Sequence, residues 1–285
     1  MKRFLLGILL FIVFNNLFAQ SNSDSLIAKD EFSLISKKSL ALVGVSSIFL
    51  TTLVDSYFMW WENHNEFNFL SHSKNENWLN NSFLGIDKVG HFYTSYFFYH
   101  TNKNILKWAG YSDKTAFWIS TSLTSGLALL IEVGDGFSQY SFDYQDLVFN
   151  MAGLGYGILQ DQMPFFQNFN FKWSFIPTDK LKFPPRFTEH YDSHIYLLSI
   201  DLHNLLGEKY KKFWPEFICP AVGFSTANNT TRREYIIGLD FNFLFDKKDE
   251  NWKLADNIIQ LIHFPAPGIK YTQKKKPKSH LFLLN

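Results

Sequence analysis

The feature that most constrains this chain is a change of hydrophobic period at Pro164. Before it, apolar residues fill long segments of helical character; after it, apolar and polar residues alternate one by one. Phe169-Asn170-Phe171-Lys172-Trp173-Ser174-Phe175 alternates without a fault, as a strand with one buried face does. The same period returns at Tyr196, Leu198, Ile200 and Leu202, and again at Ile237, Leu239, Phe241, Phe243 and Phe245. Phe217 to Ser225 reads as a weaker strand interrupted by Pro220, and Asn228-Asn229 supply the turn before the last long strand. Four strands with one buried face form an antiparallel sheet, and four are too few to close a barrel. The expected class is therefore α+β, a bundle of about four apolar helices followed by an antiparallel β-sheet packed on it.

The helices are read from Leu40 through Val54 to the Tyr57–Trp61 cluster, from Asp87 to Tyr99, from Lys114 to Val133, and from Asp143 to Gln160. Ser112-Asp113 gives the third a good N-cap, and Glu62 to Asn81 is an Asn- and Ser-rich loop. Ahead of them, Lys2 and Arg3, the apolar run Phe4 to Phe14 and the exit Leu17-Phe18-Ala19 have the form of a secretory signal. The expected organisation is a signal peptide at 1–19, a loose polar leader at 20–35, a helical domain at 36–163 and a β region with a basic tail at 164–285. Cys219 is the only cysteine, so neither an intrachain disulfide nor a lipid-modified cysteine at the signal exit is expected. It reads as a small apolar strand residue.

A formal net charge of +1 gives no global field, so nucleic acid is not an expected partner. The 32 Phe residues require either a heavily aromatic core or lipid contact. Leu40–Val54 covers only ~22 Å and Leu147–Leu159 only ~20 Å as helix, short of a bilayer core, whereas Ala116–Val133 reaches ~27 Å. That third segment carries Ser120, Thr121, Ser122, Thr124 and Ser125, which suit close helix packing in lipid or in protein. Mean hydropathy is −0.10, diluted by a polar C-terminal half. The expectation is helices embedded in or apposed to a membrane, with a membrane or envelope lipid as partner. Lys274-Lys275-Lys276-Pro277-Lys278 is expected to be a solvated basic patch.

Candidate functional residues come from three of the helices. Asp143, Asp146, Asn150, Gly153 and Gly157 fall at steps of three and four and draw one stripe along the fourth. An Asn midway in an apolar helix costs about 1–3 kcal/mol unless a partner is found. The second helix offers Asp87, Lys88 and His91 on one side, with Ser95 a turn on. The third adds Glu132 at its C-terminal end, where the helix dipole disfavours a carboxylate unless a cation compensates, and Asp135 at a Gly134–Gly136 bend. Such a set serves acid–base catalysis, a metal held by His91, Glu132 and Asp146, or a structural network; no compact His-rich ligand motif decides for the metal, and the sequence leaves metal and cofactor open.

"DKVGHFYTSYF", "EVGD" and "YSFDYQDLVFNMAGLGYG" resemble the signature of the YfiM-like family of predicted periplasmic lipoproteins, with a more distant likeness to VanZ-like membrane proteins. Carried over by position, the motif residues are Asp87, Lys88, His91, Glu132, Asp135, Asp146, Asn150 and Gly153. Three residues rather than two separate Phe142 from Asp146 in this spacing, a departure from the family pattern. The resemblance implies a location and a site, not a reaction. The resulting expectation is an exported, membrane-associated envelope protein, outer membrane favoured over inner, whose polar site binds a ligand or holds helices in register. The alternative is a lipid or phosphate-headgroup hydrolase or transferase, with His91 as base or nucleophile, Glu132 or Asp146 orienting it and Lys88 stabilising an anion. No Gly-x-Ser-x-Gly motif accompanies the set.

Overall fold

Why the first helix is longer than its apolar run is plain from what precedes Leu40: Lys29 to Ser39 contains no Gly or Pro to stop it. A computed structural model describes residues 29–72, 78–175, 190–243 and 249–283, with side chains from residue 37 onward. The signal peptide expected at 1–19 lies outside these. Helix α1 runs Lys29–Trp60, so the leader expected to be loose is helical from Lys29. Helix α2, Ile86–Trp108, continues nine residues beyond the expected end at Tyr99, because nothing breaks it before Gly110. Helix α3, Asp113–Gly136, starts where expected, with the Ser112 hydroxyl accepting from the Thr115 amide. Helix α4, Tyr144–Gln162, is capped by Asp143, which accepts from the Gln145 amide.

The helices pack closely where α4 is smooth. A Cβ on Gly153 would stand 1.9 Å from the Phe92 carbonyl oxygen, and one on Gly157 2.7 Å from the Tyr99 ring. Only glycine lets α2 and α4 approach so nearly. At the far end, Ala41 and Val45 of α1 join Leu106, Ala109 and Ala116 in a buried apolar cluster.

Six strands, not four, form one antiparallel sheet in sequential order: β1 Phe169–Phe175, β2 His194–Ile200, β3 Ile218–Ala227, β4 Arg232–Phe241, β5 Gly268–Thr272 and β6 Lys278–His280. Short helices α5, Leu202–Leu205, and α6, Glu208–Lys211, lie between β2 and β3, and α7, Glu250–Ile259, between β4 and β5. Strand β4 lies further towards the N-terminus than the expected Ile237–Phe245; Phe243 is outside the strand, and position 245 lies outside the described residues. Pro220 does not interrupt β3, which pairs through it opposite Leu239. Lys274–Lys276 belong to the turn of a β5–β6 hairpin too short to show an alternating pattern.

The two sheet faces are the main departure from expectation. Phe171, Trp173 and Tyr196 pack on Phe92, Tyr93 and Tyr96 of α2 as an apolar strand face should. The opposite face, read from sequence as the polar one, is also buried: Ile195, Leu197, Ala221, Ile236 and Leu283 cluster there. Lys172 lies among them, fully buried, its Nζ 2.6 Å from Asp240. Leu283 seats against Gly238 and Gly268, where any Cβ would approach it within 3.0 Å.

Candidate functional site

Three helix ends meet at one place. The loop before α2 turns through Gly85, at φ 85°, where a Cβ would be 2.9 Å from the Leu79 carbonyl. Asn81 fixes that turn, its Oδ1 accepting from the Phe83 and Gly85 amides while its Nδ2 donates to Asp87 at 2.8 Å. The α2 first turn thereby aims Asp87, Lys88 and His91 at the N-terminus of α4 and the C-terminus of α3.

The inner half of the site is an ion network centred on Lys88. Its Nζ lies 2.6 Å from Asp143, 2.7 Å from Asp146 and 3.3 Å from Asp87, with almost no solvent exposure. Burial works against the ammonium charge, but Asp146, Asp87 and Asp143 outweigh it and hold the lysine above its ordinary range. Asp143 feels the converse: burial raises it, yet Lys88, the Gln145 amide and His72 bring its carboxyl below the usual value. His72, from the loop read as Asn- and Ser-rich, reaches Asp143 at 3.0 Å.

The outer half is centred on His91, whose side chain is 29 % exposed. Its Nδ1 lies 3.2 Å from Asn150 Nδ2 and 3.8 Å from Glu132, and its Nε2 3.5 Å from Asp146. Asn150 has the partners its position demands, since Ser95 donates to its Oδ1 at 2.9 Å. Glu132 is fully buried, and burial followed by the fields of Asp146, Asp135 and Asp143 pushes its carboxyl up to about 9. Asp135 accepts from the Trp61 indole at 2.7 Å, and burial lifts it to about 6 despite that bond. The Gly134–Gly136 segment is not a bend but the last turn of α3; a Cβ on Gly134 would meet the Trp61 ring at 2.3 Å.

Asp87, Lys88, His91, Glu132, Asp135, Asp146 and Asn150, named from sequence, thus form one connected set. His72, Trp61 and Asn81 were missed. Asn81, four residues before Gly85, carries a turn signal; nothing in the sequence marks His72. The set holds five carboxylates, Asp87, Glu132, Asp135, Asp143 and Asp146, against one lysine and two imidazoles. One ligand atom from each of His91, Glu132 and Asp146 fits within 4.8 Å of the others.

A family model described as "Predicted periplasmic lipoprotein (DUF2279)" matches residues 75–162, less than a third of the chain. No curated protein and no solved structure matches. The matched stretch carries every one of the seven site residues, whereas the sheet lies beyond it. The more distant likeness to VanZ-like proteins gains no support. The chain is similar to this family in the helices that build the site, and that similarity supports a place in the cell envelope.

Proposed function

We propose that the protein is a membrane-associated envelope protein whose outer half-site binds a divalent cation through His91, Glu132 and Asp146. One observation carries the reading: a charge imbalance at an accessible place. Even with Glu132 protonated and both imidazoles charged, the four aspartates Asp87, Asp135, Asp143 and Asp146 outnumber the three cations around them, and Asp146 stands beside the open ring of His91. An imidazole with two carboxylate oxygens suits Zn²⁺ or Mn²⁺ better than the all-oxygen shells of Mg²⁺ or Ca²⁺. Asn150 supports the ring from behind. Its amide donates to Nδ1 in one orientation and accepts from Nδ1–H in the other, and the second leaves the Nε2 lone pair free for a metal; Ser95 serves either orientation.

Membrane association rests on α1 and α3. Segments 37–60 and 113–136 are long and apolar enough to cross a membrane by length and composition, yet only 17 % and 33 % of their most apolar windows are buried. Leu50, Trp118, Leu129 and Leu130 stand exposed on them. The outer membrane is favoured over the inner by the aromatic outward face of the sheet.

The acid–base alternative is favoured only by the exposure of His91. Both ring nitrogens already face protein groups, and Lys88, given to three carboxylates, is not free to stabilise an anion. The test is elemental analysis of protein purified without chelator, followed by thermal melts after metal removal and return. The expected result is about one equivalent of Zn²⁺ or Mn²⁺ per chain, absent from His91→Ala. Metal-free protein that neither rebinds an ion nor changes its melting temperature overturns the reading.

A further inference from the structure

The sheet face that packs on α2 at β1 and β2 continues uncovered over β3, β4 and β5, where it is built in levels. Register places Val222, Ile237 and Ile269 in one row, and Phe224, Tyr235 and Tyr271 in the next, ~7 Å nearer the β5–β6 turn. Ile237 is 69 % exposed, and Val222, Ile269, Tyr235 and Tyr271 are exposed with it. Tyr235 and Tyr271 stack at 6.4 Å and 17°. Beyond the aromatic row comes the turn with Lys275 and Lys276, and then Lys278 as the first residue of β6, all exposed to solvent.

These lysines, with His280 and the buried Lys270, line a cavity of about 370 Å³ at the end of the sheet. Register sets Lys278 against Lys270 and Ile236, so the cavity opens on the sheet face opposite Tyr235 and Tyr271. The acids beside it are engaged. Asp192 accepts from the Asn229 and Thr230 amides and the Thr226 hydroxyl. Glu234 accepts from Thr272 and faces Lys270 at 3.4 Å. Among the described residues, Lys275, Lys276 and Lys278 have no carboxylate partner. Aliphatic, then aromatic, then cationic is the order a protein surface meets on rising from acyl chains through the interface to phosphate.

We propose that this end of the sheet docks edge-on in an anionic lipid surface, its strands running along the membrane normal, with Ile237 and its row among the acyl chains, Tyr235 and Tyr271 at the interface, and Lys275, Lys276 and, from the other face, Lys278 on headgroup phosphates. Arg233, next to Glu234 on β4, donates from Nε to the Leu84 carbonyl at 3.1 Å, in the loop that leads into α2. The lysine end of the sheet and the loop that leads into the helical site therefore lie at the same end of the molecule. Docking would hold that loop at headgroup level. The inference names the lipid chemistry and the surface that reads it, and does not depend on the cation site.

The test uses the full chain and two vesicle preparations, pure phosphatidylcholine and phosphatidylcholine mixed with phosphatidylglycerol. Wild type should partition more strongly to the mixed vesicles, and salt should weaken the difference. A basic residue near an anionic surface is worth roughly fivefold, so Lys275→Gln/Lys276→Gln/Lys278→Gln should lose about a hundredfold on mixed vesicles and little on neutral ones. These positions are exposed, two in the turn and one at the first residue of β6, and an unchanged circular dichroism spectrum would show that the variant is folded. As a second readout, a polarity-sensitive dye on Ile237→Cys, in a Cys219→Ala background, should shift to the blue on mixed vesicles. Equal partitioning of wild type and triple variant, or no shift at position 237, overturns the proposal. So does competition by millimolar inorganic phosphate, which would make the cavity a soluble-anion pocket.

Discussion

The molecule buries two ionic networks, and they are built on opposite terms. In the sheet, Asp240 has one lysine at 2.6 Å, one imidazole at 2.8 Å and one hydroxyl at 2.7 Å, from Lys172, His263 and Ser199. Lys172 also donates to the Phe241 carbonyl and Gln260. Charges there balance, every member is sealed from solvent, and burial is outweighed by His263 and Lys172, so that the Asp240 carboxyl lies below its ordinary range. In the bundle, carboxyl groups exceed cations and one histidine opens to solvent; each network keeps one buried atom without a hydrogen-bond partner, Asp87 Oδ1 here and His263 Nε2 in the sheet. A closed, balanced network completes a core; an open one with surplus charge of one sign is built for something that arrives later.

The largest expected effect breaks the bundle network. Lys88→Met would leave three acids without their shared cation and should cost about 3–5 kcal/mol, read as a loss of the folding transition by calorimetry. Lys172→Met should cost less, because Asp240 keeps His263 and Ser199. Lys172→Met/Asp240→Leu should not recover that loss, since it takes the shared acceptor from the buried His263 imidazole and Ser199 hydroxyl. Equal costs for the two lysines would erase the distinction drawn here.

Next in size is Gly153→Ala, which forces α2 from α4 at the Phe92 carbonyl. About 1–3 kcal/mol of destabilisation is expected, or more if the helices cannot shift, and cation binding should weaken with it. A melting temperature and metal affinity both unchanged would mean that the helices part without cost.

A smaller effect separates the networks by pH. Glu132 holds its proton far above the ordinary carboxyl value of 4.5, so the metal-free folded state binds more protons than the unfolded chain between there and about 9. That contribution is fully present below the ordinary value and is lost as pH rises towards 9. Glu132→Gln should therefore melt a few degrees higher than metal-free wild type at pH 8 and show a flatter alkaline arm, while no longer responding to added cation. Asp143 and Asp240 have the opposite sign. Their stabilisation is present above about pH 4 and is lost as pH falls through their depressed values, in both networks alike.

The helical half was legible because its signals are periodic and local. Asp143, Asp146, Asn150, Gly153 and Gly157 fall on one stripe, and an amide in an apolar helix announces a partner before the partner is known. His72 was illegible, since a loop residue's reach is set by tertiary closure rather than spacing. The sheet was half legible. Alternation located β1 closely, but it could not tell that the polar face would be folded inward around Leu283, so Lys172 read as a solvent-facing residue. Strands β5 and β6 are too short for any period, and α7 was missed although Asp249 caps it by accepting from the Asn251 and Trp252 amides.

The most direct measurement is anomalous diffraction at the absorption edge of Zn²⁺ or Mn²⁺ from crystals grown with that ion. A single peak about 2.0–2.2 Å from the His91 imidazole and from one carboxylate oxygen each of Glu132 and Asp146 is predicted. A map with no peak between these three side chains at saturating cation, or with the ion bound elsewhere, would contradict it.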